Sequence, residues 1–589
     1  MPHRAIVALL ASVVITAIAC TRAEQPAADD SVASSDATGG SVTGRADGGL
    51  RPLRTATVVT ADSAMVVSAS PYATDAGLAV LRNGGNAVDA AVAVAFTLAV
   101  TYPTAGNIGG GGFLVARIGG QNVALDFREV APAGASRDMY LDGSGQLTDR
   151  SLTGALAAGV PGSVAGLYEA HRKFGTKPWA QVVQPAIELA ERGFVVDTAF
   201  TEDSDNATAR LAKDSASAAL FLVNGRYAAI GTTWRAPQLA AVLRRIAERG
   251  RDGFYKGETA RLIAAAMEQH GGIITPSDLA NYRPVWRTPV EFDYRKHRVV
   301  SMPPASSGGL TLALILGIVG QRDIAALGWR SAASIHLLAE AERRAFARRN
   351  ALLGDPAFGP IATSSFLSKD TAAALSTEIT DRASAAPVAP AAKEPRHTTH
   401  FSVVDARGNA VSLTTTLNES YGAAFTVAGA QFLLNDEMDD FTTKPGAVNA
   451  MGLVQGERNA IAPGKRMLSS MTPTLVLDST GAITLVTGAA GGAYIITGVA
   501  HQIVSLLDFR TSLGDAMAAP QFHFQDQPDS LVVEQVAWAD TATRLMAPIG
   551  HGVKQSPWGL LVSMQSIHRQ GGRWVGVSEP RGFGRARGY

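Results

Sequence analysis

Residues 398–418 read TTHFSVVDARGNAVSLTTTLN. Apolar and polar residues alternate on both sides of the turn ARGN (406–409), the pattern of a β-hairpin. The stretch begins where residues 382–396 (RASAAPVAPAAKEPR), a Pro/Ala-rich run without periodicity, come to an end. Such a run reads as a linker. Beyond the hairpin, MTPTLVLD (471–478), AITLVTG (482–488) and LVVEQV (531–536) continue the strand texture, with a helix through TGVAHQIVSLLDF (497–509). Before the linker, MVVSAS (65–70) reads as a strand, and Thr74 is placed to cap a helix through DAGLAVLRN that stops at Gly84-Gly85. Asn86 to Val100 is apolar on nearly every face and reads as a buried helix. SVAGLYEAHRKFG, AQVVQPAIELAERGF and APQLAAVLRRIAERG carry apolar residues at three- and four-residue spacing, each ending near Gly. Strands at both ends with helices between predict an α/β layered fold whose sheet draws on both sides of the linker.

A linker that runs straight into a rigid strand suits a chain cut, and two threonines stand at the junction. A threonine hydroxyl is a poor nucleophile without a base. A cut just before it frees an α-amine of pKa about 7.7–8.0, so one residue supplies both groups. Chemistry alone does not choose between Thr398 and Thr399. The sequence has no G-x-S-x-G elbow, H-E-x-x-H helix or Walker loop to mark another hydrolase route.

The composition, 46% hydrophobic and 17% charged, fits a compact soluble enzyme. Lys plus Arg number 52 against 51 Asp plus Glu, and no basic stripe stands out, so nucleic acid is not an expected partner. MPHR, the apolar run AIVALLASVVITAIA and Cys20 describe a secretory signal over residues 1–20. Cys20 is the single cysteine, which excludes an internal disulfide and any cysteine-based metal site; no cofactor or metal is expected. Its place in AIAC resembles a bacterial lipoprotein box, with Ala17 where Leu is more usual, and predicts lipidation at Cys20. Residues 21–57 then read as a flexible tether. The chain is expected to be exported, either periplasmic or held to a membrane by that lipid alone.

The run 398–418, with LLNDEMDDFTTKPG (433–446), KRMLSSMTPTLVL (465–477) and TGAAGGAYIIT (487–497), closely resembles the small subunit of γ-glutamyltransferases, also called glutathione hydrolases. Large-subunit marks stand in order before it: GGNAVDAAVA (84–93), NIGGGGF (107–113), LDFREVAP (125–132), GVPGSVAG (159–166) and SMPPASSGG (301–309). The resemblance covers about residue 65 to the C-terminus. It implies an N-terminal-nucleophile (Ntn) hydrolase: a four-layer αββα sandwich built from a large subunit (58–397) and a small catalytic subunit (398–589) that form a heterodimer. It also selects Thr398 as nucleophile and Thr416 as its hydrogen-bond partner, with Gly491 and Gly492 supplying oxyanion-hole N–H groups. Arg128, Ser469 and Ser470 match the grip on the α-carboxylate of a γ-glutamyl substrate such as glutathione, and Asn418, Glu437 and Asp440 the acceptors around its α-ammonium. Departures are Glu437, where some bacterial members carry Gln; Met451, where some carry a lid Tyr; and Arg348-Arg349, where A-D-R is usual, expected as a structural change. Residues 431–452 have the length of a lid loop.

Two other functions compete. A related Ntn acylase, of the glutaryl-cephalosporin type, has no α-ammonium to bind, so Arg128 with the acidic pair argues against it. A surface lipoprotein that only binds would not need Thr398, Thr416 and Gly491-Gly492 together.

Overall fold

The computed structural model describes residues 55–384, 398–444, 446–447, 453–534, 539–556 and 560–589. The signal segment with Cys20, the tether up to residue 54, linker residues 385–397 and Met451 lie outside the described residues. Among the described residues no helix is long and apolar enough to cross a membrane.

Two antiparallel sheets form the centre. The first, of seven strands, runs in the order Arg585–Gly588, Met65–Ser68, Thr398–Val404, Ala410–Thr416, Gly111–Ile118, Gln121–Asp126 and Val285–Arg287. The second orders Val58–Ala61, Arg573–Ser578, Ser563–Gln570, Ile483–Thr487, Thr474–Leu477, His297–Ser301 and Val290–Tyr294, with Ala489–Ala490 also pairing on Ser563–Gln570. Each sheet therefore interleaves strands from before and after the linker, as the two-sided strand texture predicts.

Side-chain alternation divides the core into layers. Val66, Leu114, Ala116, Phe401, Val403, Val411 and Leu413 pack with the helices Pro71–Arg82, Ala87–Thr101 and Trp179–Arg192. Met65, Val67, Phe113, Val115 and Ala124 turn the other way, toward the second sheet and the helices Gly308–Val319 and Tyr494–Leu507. The order helix, sheet, sheet, helix is the four-layer αββα sandwich. Each fully buried Val, Leu or Phe in these layers contributes roughly 1.5–3 kcal/mol.

Polar residues also sit between the sheets. Ser402 Oγ donates to Gln565 O at 2.7 Å and His400 Nδ1 lies 2.9 Å from Thr414 Oγ1. Burial holds the His400 imidazole down to about 3, so it is neutral there. A Cβ on Gly488 would come within 2.4 Å of that ring, which explains a glycine at the crossing.

The helix Ala87–Thr101 starts on a capping box, Asn86 with Asp89. The expected cap at Thr74 is corrected: the first helix begins at Pro71, with Ser70 as its N-cap. Proline is favoured at the first helical position, which moves the start forward. Thr74 is instead within the helix, its hydroxyl 2.7 Å from Ser68 Oγ and donating to Arg585 O at 3.0 Å. LVVEQV yields the strand Leu531–Val533, but in a separate three-stranded sheet.

Candidate active site

Thr398 heads the third strand of the first sheet and stands opposite Thr416 in the hairpin register. Its hydroxyl donates to Thr416 Oγ1 at 3.3 Å, and the same Thr416 oxygen accepts the Asn418 N–H at 2.9 Å. Asn418 has a φ of 81°, a left-handed conformation that Asn tolerates, and it turns the chain out of the strand. The Thr416 carbonyl is fixed by Asn107 Nδ2 at 2.9 Å, while Asn107 Oδ1 accepts from Ser163 Oγ at 2.6 Å. A Cβ on Gly110 would lie 2.1 Å from Thr416 O, so the NIGGGGF run passes the nucleophile strand only as glycine. Thr398 borders two cavities and Thr399 borders neither of them.

Gly491 and Gly492 follow the strand Ala489–Ala490 and precede the helix Tyr494–Leu507. Gly491 lines one of those cavities and Gly492 the other. Gly491 has φ 138° and a Cβ there would meet Leu561 O at 2.4 Å, so no side chain fits. Among the described residues neither N–H donates a backbone hydrogen bond. Two N–H groups without a backbone acceptor at a helix start suit an oxyanion.

The smaller cavity, about 20 Å³, brings Arg128, Asn418, Glu437, Asp440, Ser469 and Ser470 together with Thr398 and Thr416. All the side chains assigned from sequence to the amino acid head thus converge on the nucleophile. Arg128 is 1% exposed and its guanidinium pairs directly with Glu437 and with Asp440. Asn418 Nδ2 donates to Asp436 O at 3.1 Å, which leaves its Oδ1 as the amide's acceptor. Ser469 Oγ accepts from Met471 N–H at 3.1 Å. A volume near 20 Å³ holds about one water.

Charge in this pocket is finely divided. Burial raises the carboxyls of Glu437 and Asp440 above their usual range, against the pull of Arg128. Glu129, 3.8 Å from Arg128, is fully buried, and burial pushes it up to about 7. Neither of its oxygens has a hydrogen-bond partner among the described residues. Three acids crowd one arginine, so the pocket holds more carboxyl groups than Arg128 alone balances, the surplus an arriving ammonium would meet.

Sequence reasoning missed a second arginine. Arg349, expected to mark a structural change only, lines the same cavity and is 1% exposed. Its Nη2 donates to Ser470 Oγ at 3.0 Å and its Nε to Ser307 Oγ at 2.8 Å. Burial lowers its pKa to about 10, and it remains charged at neutral pH. A signal was available: Ile335, Ala339, Glu342, Phe346 and Arg349 recur at four- and three-residue spacing and are all buried in the helix Ala332–Leu352. An arginine on such a stripe points inward.

The second cavity, about 470 Å³, is bounded by Thr398, Gly491, Tyr102, Glu202, Asp203, Arg210, Glu419 and Ser420 among others. It was not foreseen either.

The gamma-glutamyltranspeptidase family model matches residues 73–589. A glutathione hydrolase proenzyme of Pseudomonas aeruginosa is 43% identical over 545 residues, covering 89% of this chain and 94% of that one. Its Escherichia coli counterpart is 44% identical over 533 residues, covering 89% and 91%. Among solved structures, a cephalosporin acylase from Bacillus halodurans superposes with a TM-score of 0.80 at 26% identity, covering 90% of this chain and 97% of that one. With residues 73–589 matched and two relatives above 40% identity over most of both chains, the chain belongs to the gamma-glutamyltranspeptidase family.

Proposed function

We propose that this chain is a proenzyme that cuts itself before Thr398, and that the freed threonine cleaves the γ-glutamyl amide bond of glutathione and its conjugates. One observation carries the reading: a threonine hydroxyl at a strand head borders a pocket that sets Arg128 beside the acids Glu437 and Asp440, groups of both signs for a zwitterionic amino acid head. The glutathione hydrolase proenzymes among its relatives support it.

In maturation, Thr398 Oγ attacks the carbonyl carbon of His397, the N–C bond gives way to an ester, and water releases the large subunit (58–397) from the small one (398–589). In turnover, the Thr398 α-amine takes the hydroxyl proton as Oγ attacks the γ-carbonyl. Thr416 orients that hydroxyl, and the N–H groups of Gly491 and Gly492 bind the oxyanion; such donors typically contribute a few kcal/mol each. The amine product leaves with the proton, giving a γ-glutamyl-Thr398 ester. Water, an amino acid or a dipeptide then attacks the ester and regenerates the hydroxyl. Arg128 with Ser469 and Ser470 grips the α-carboxylate, and Asn418, Glu437 and Asp440 receive the α-ammonium. No cofactor or metal enters any step.

The second reading is an acylase, favoured by the fold shared with the cephalosporin acylase. Glutaryl-p-nitroanilide keeps the carboxylate of γ-glutamyl-p-nitroanilide and lacks only the ammonium, so the pair isolates recognition by Asn418, Glu437 and Asp440. Leaving buried carboxylates without their cation typically costs about 2–5 kcal/mol, so the γ-glutamyl donor is expected to be favoured by roughly 30-fold or more in kcat/KM. Equal turnover of the two donors assigns the chain to the acylases.

Export through the signal at 1–20, lipid attachment at Cys20 and a tether over 21–57 complete the proposal, placing the enzyme at a membrane surface or in the periplasm. Cys20→Ser should move the protein from the membrane to the soluble fraction. Wild-type protein found wholly soluble after fractionation rules the anchor out.

A further inference from the structure

Arg349 takes no part in the steps above, although it lines the small cavity and is 1% exposed. A buried cation costs free energy unless its N–H groups are used. Here they are used mainly on serines: Nη2 donates to Ser470 Oγ at 3.0 Å and Nε to Ser307 Oγ at 2.8 Å, while Nη1 donates to Asn350 Oδ1 at 2.8 Å. Arg349 lies near the end of the helix Ala332–Leu352, and Ser307 leads into the helix Gly308–Val319. One side chain thus ties two helices to the segment that carries Ser469 and Ser470.

The direction of these hydrogen bonds is fixed. A guanidinium donates and never accepts, so each serine it touches accepts from it and must send its own proton elsewhere. Ser307 sends its proton to Ser469 O at 2.6 Å, and the Ser307 N–H donates to the same carbonyl at 2.7 Å. Ser469 Oγ accepts the Met471 N–H at 3.1 Å, which leaves its proton unspent. Among the described residues nothing accepts the Ser470 hydroxyl proton either, and both serines line the cavity. Arg349 therefore acts on Ser470 by direct contact and on Ser469 through Ser307.

We propose that Arg349 is a positioning residue that makes Ser469 and Ser470 hydrogen-bond donors toward the pocket, and so sets its preference for a carboxylate over an uncharged amide. The inference rests on the proposed function, in which both serines and Arg128 grip the α-carboxylate. A carboxylate only accepts, so two donated protons match it. A carboxamide in the same place brings an N–H₂ that needs an acceptor, and a hydroxyl held as a donor serves it poorly. The guanidinium behind Ser470 also strengthens that hydroxyl as a donor. Without Arg349, Ser470 can turn and offer its oxygen instead, and the discrimination weakens.

The test compares γ-glutamyl-p-nitroanilide with its α-carboxamide, which differs only at the group the serines meet. Arg349→Met should lower kcat/KM about thirtyfold for the carboxylate donor and about threefold for the carboxamide, so that the preference contracts about tenfold. The loss for the carboxylate donor should fall mainly in KM. Self-cleavage meets no α-carboxylate, so the variant should still yield two chains. Arg349→Lys keeps the charge but not the fork that holds two serines at once, and the preference should contract about threefold. A matured Arg349→Met enzyme that loses the same factor on both donors, or whose preference is unchanged, overturns the inference and leaves Arg349 a packing residue. Should Arg349→Met fail to fold, Arg349→Lys decides, and an unchanged preference there overturns the inference equally. A wild-type enzyme that turns over both donors equally overturns the α-carboxylate reading of the pocket itself, a result separate from either variant's.

Discussion

Thr398→Ala leaves the chain uncut and without turnover: a single band where the wild type gives two, and a loss of activity on the order of 10⁴- to 10⁶-fold, the range seen when a hydrolase loses its nucleophile. Both events use the same oxygen, so both fail together. The fold should survive, because Thr398 is one member of an antiparallel pair whose backbone bonds do not depend on its hydroxyl. Circular dichroism and thermal unfolding matching the wild type would establish that. In the wild type, the small fragment comprises 192 of the 589 residues, about 20 kDa. Its N-terminal sequence should begin Thr-Thr-His. A start at any other residue, Thr399 included, removes Thr398 from the role of nucleophile. Thr398→Ser keeps an oxygen in place and should still mature. A Thr398→Ala protein that is nonetheless cut at the same bond would show that another group drives the cleavage.

The strand that starts at Thr398 was legible because a Pro/Ala-rich run stops there and a stretch of strand-forming residues begins at once. The layered fold was legible for a similar reason: short strands with one face toward helices and one toward another sheet keep a period of two, as in Met65 to Ser68 and Phe401 to Val404. Helix starts were harder. At Ser70-Pro71 and Thr74, more than one residue could begin the same helix, and the proline's fixed backbone decided it. Resemblance named residues that the fold brings to one cavity, but it did not announce their mutual pairing. Arg128 to Glu437 spans 309 positions, and nothing local announces that the cation grip and the ammonium acceptors hold each other when no substrate is bound. Arg349 lies hidden in the pair Arg348-Arg349, which as a departure from A-D-R reads as a structural change; the buried stripe of the helix Ala332–Leu352 is the better guide. The larger cavity draws on residues near 102, 202–210, 398, 419 and 490. Only the folded chain brings those segments to one wall.

Arg128→Ala should reduce kcat/KM for γ-glutamyl-p-nitroanilide by roughly 30- to 4,000-fold. The range follows from about 2–5 kcal/mol for removing one partner of a buried charge contact, with 1.36 kcal/mol per factor of ten. Much of that loss is the charge left behind. Without Arg128, the substrate carboxylate enters a pocket whose remaining cation, Arg349, is tied to Ser470 and Ser307, while Glu129, Glu437 and Asp440 stay close by. Glutaryl-p-nitroanilide carries the same carboxylate, so its turnover should fall by a similar factor, and the preference for the γ-glutamyl donor should survive. That split separates Arg128 from Glu437 and Asp440, whose loss should erode the preference itself. Self-cleavage uses no substrate head, so Arg128→Ala should still yield two chains, which distinguishes a damaged pocket from a damaged fold. Arg128→Lys restores a point charge without the planar fork and should recover only part of the activity. Unchanged γ-glutamyl kinetics in a fully matured Arg128→Ala enzyme would mean that the α-carboxylate is held elsewhere, and Arg349, through Ser470, is the group the structure offers in its place.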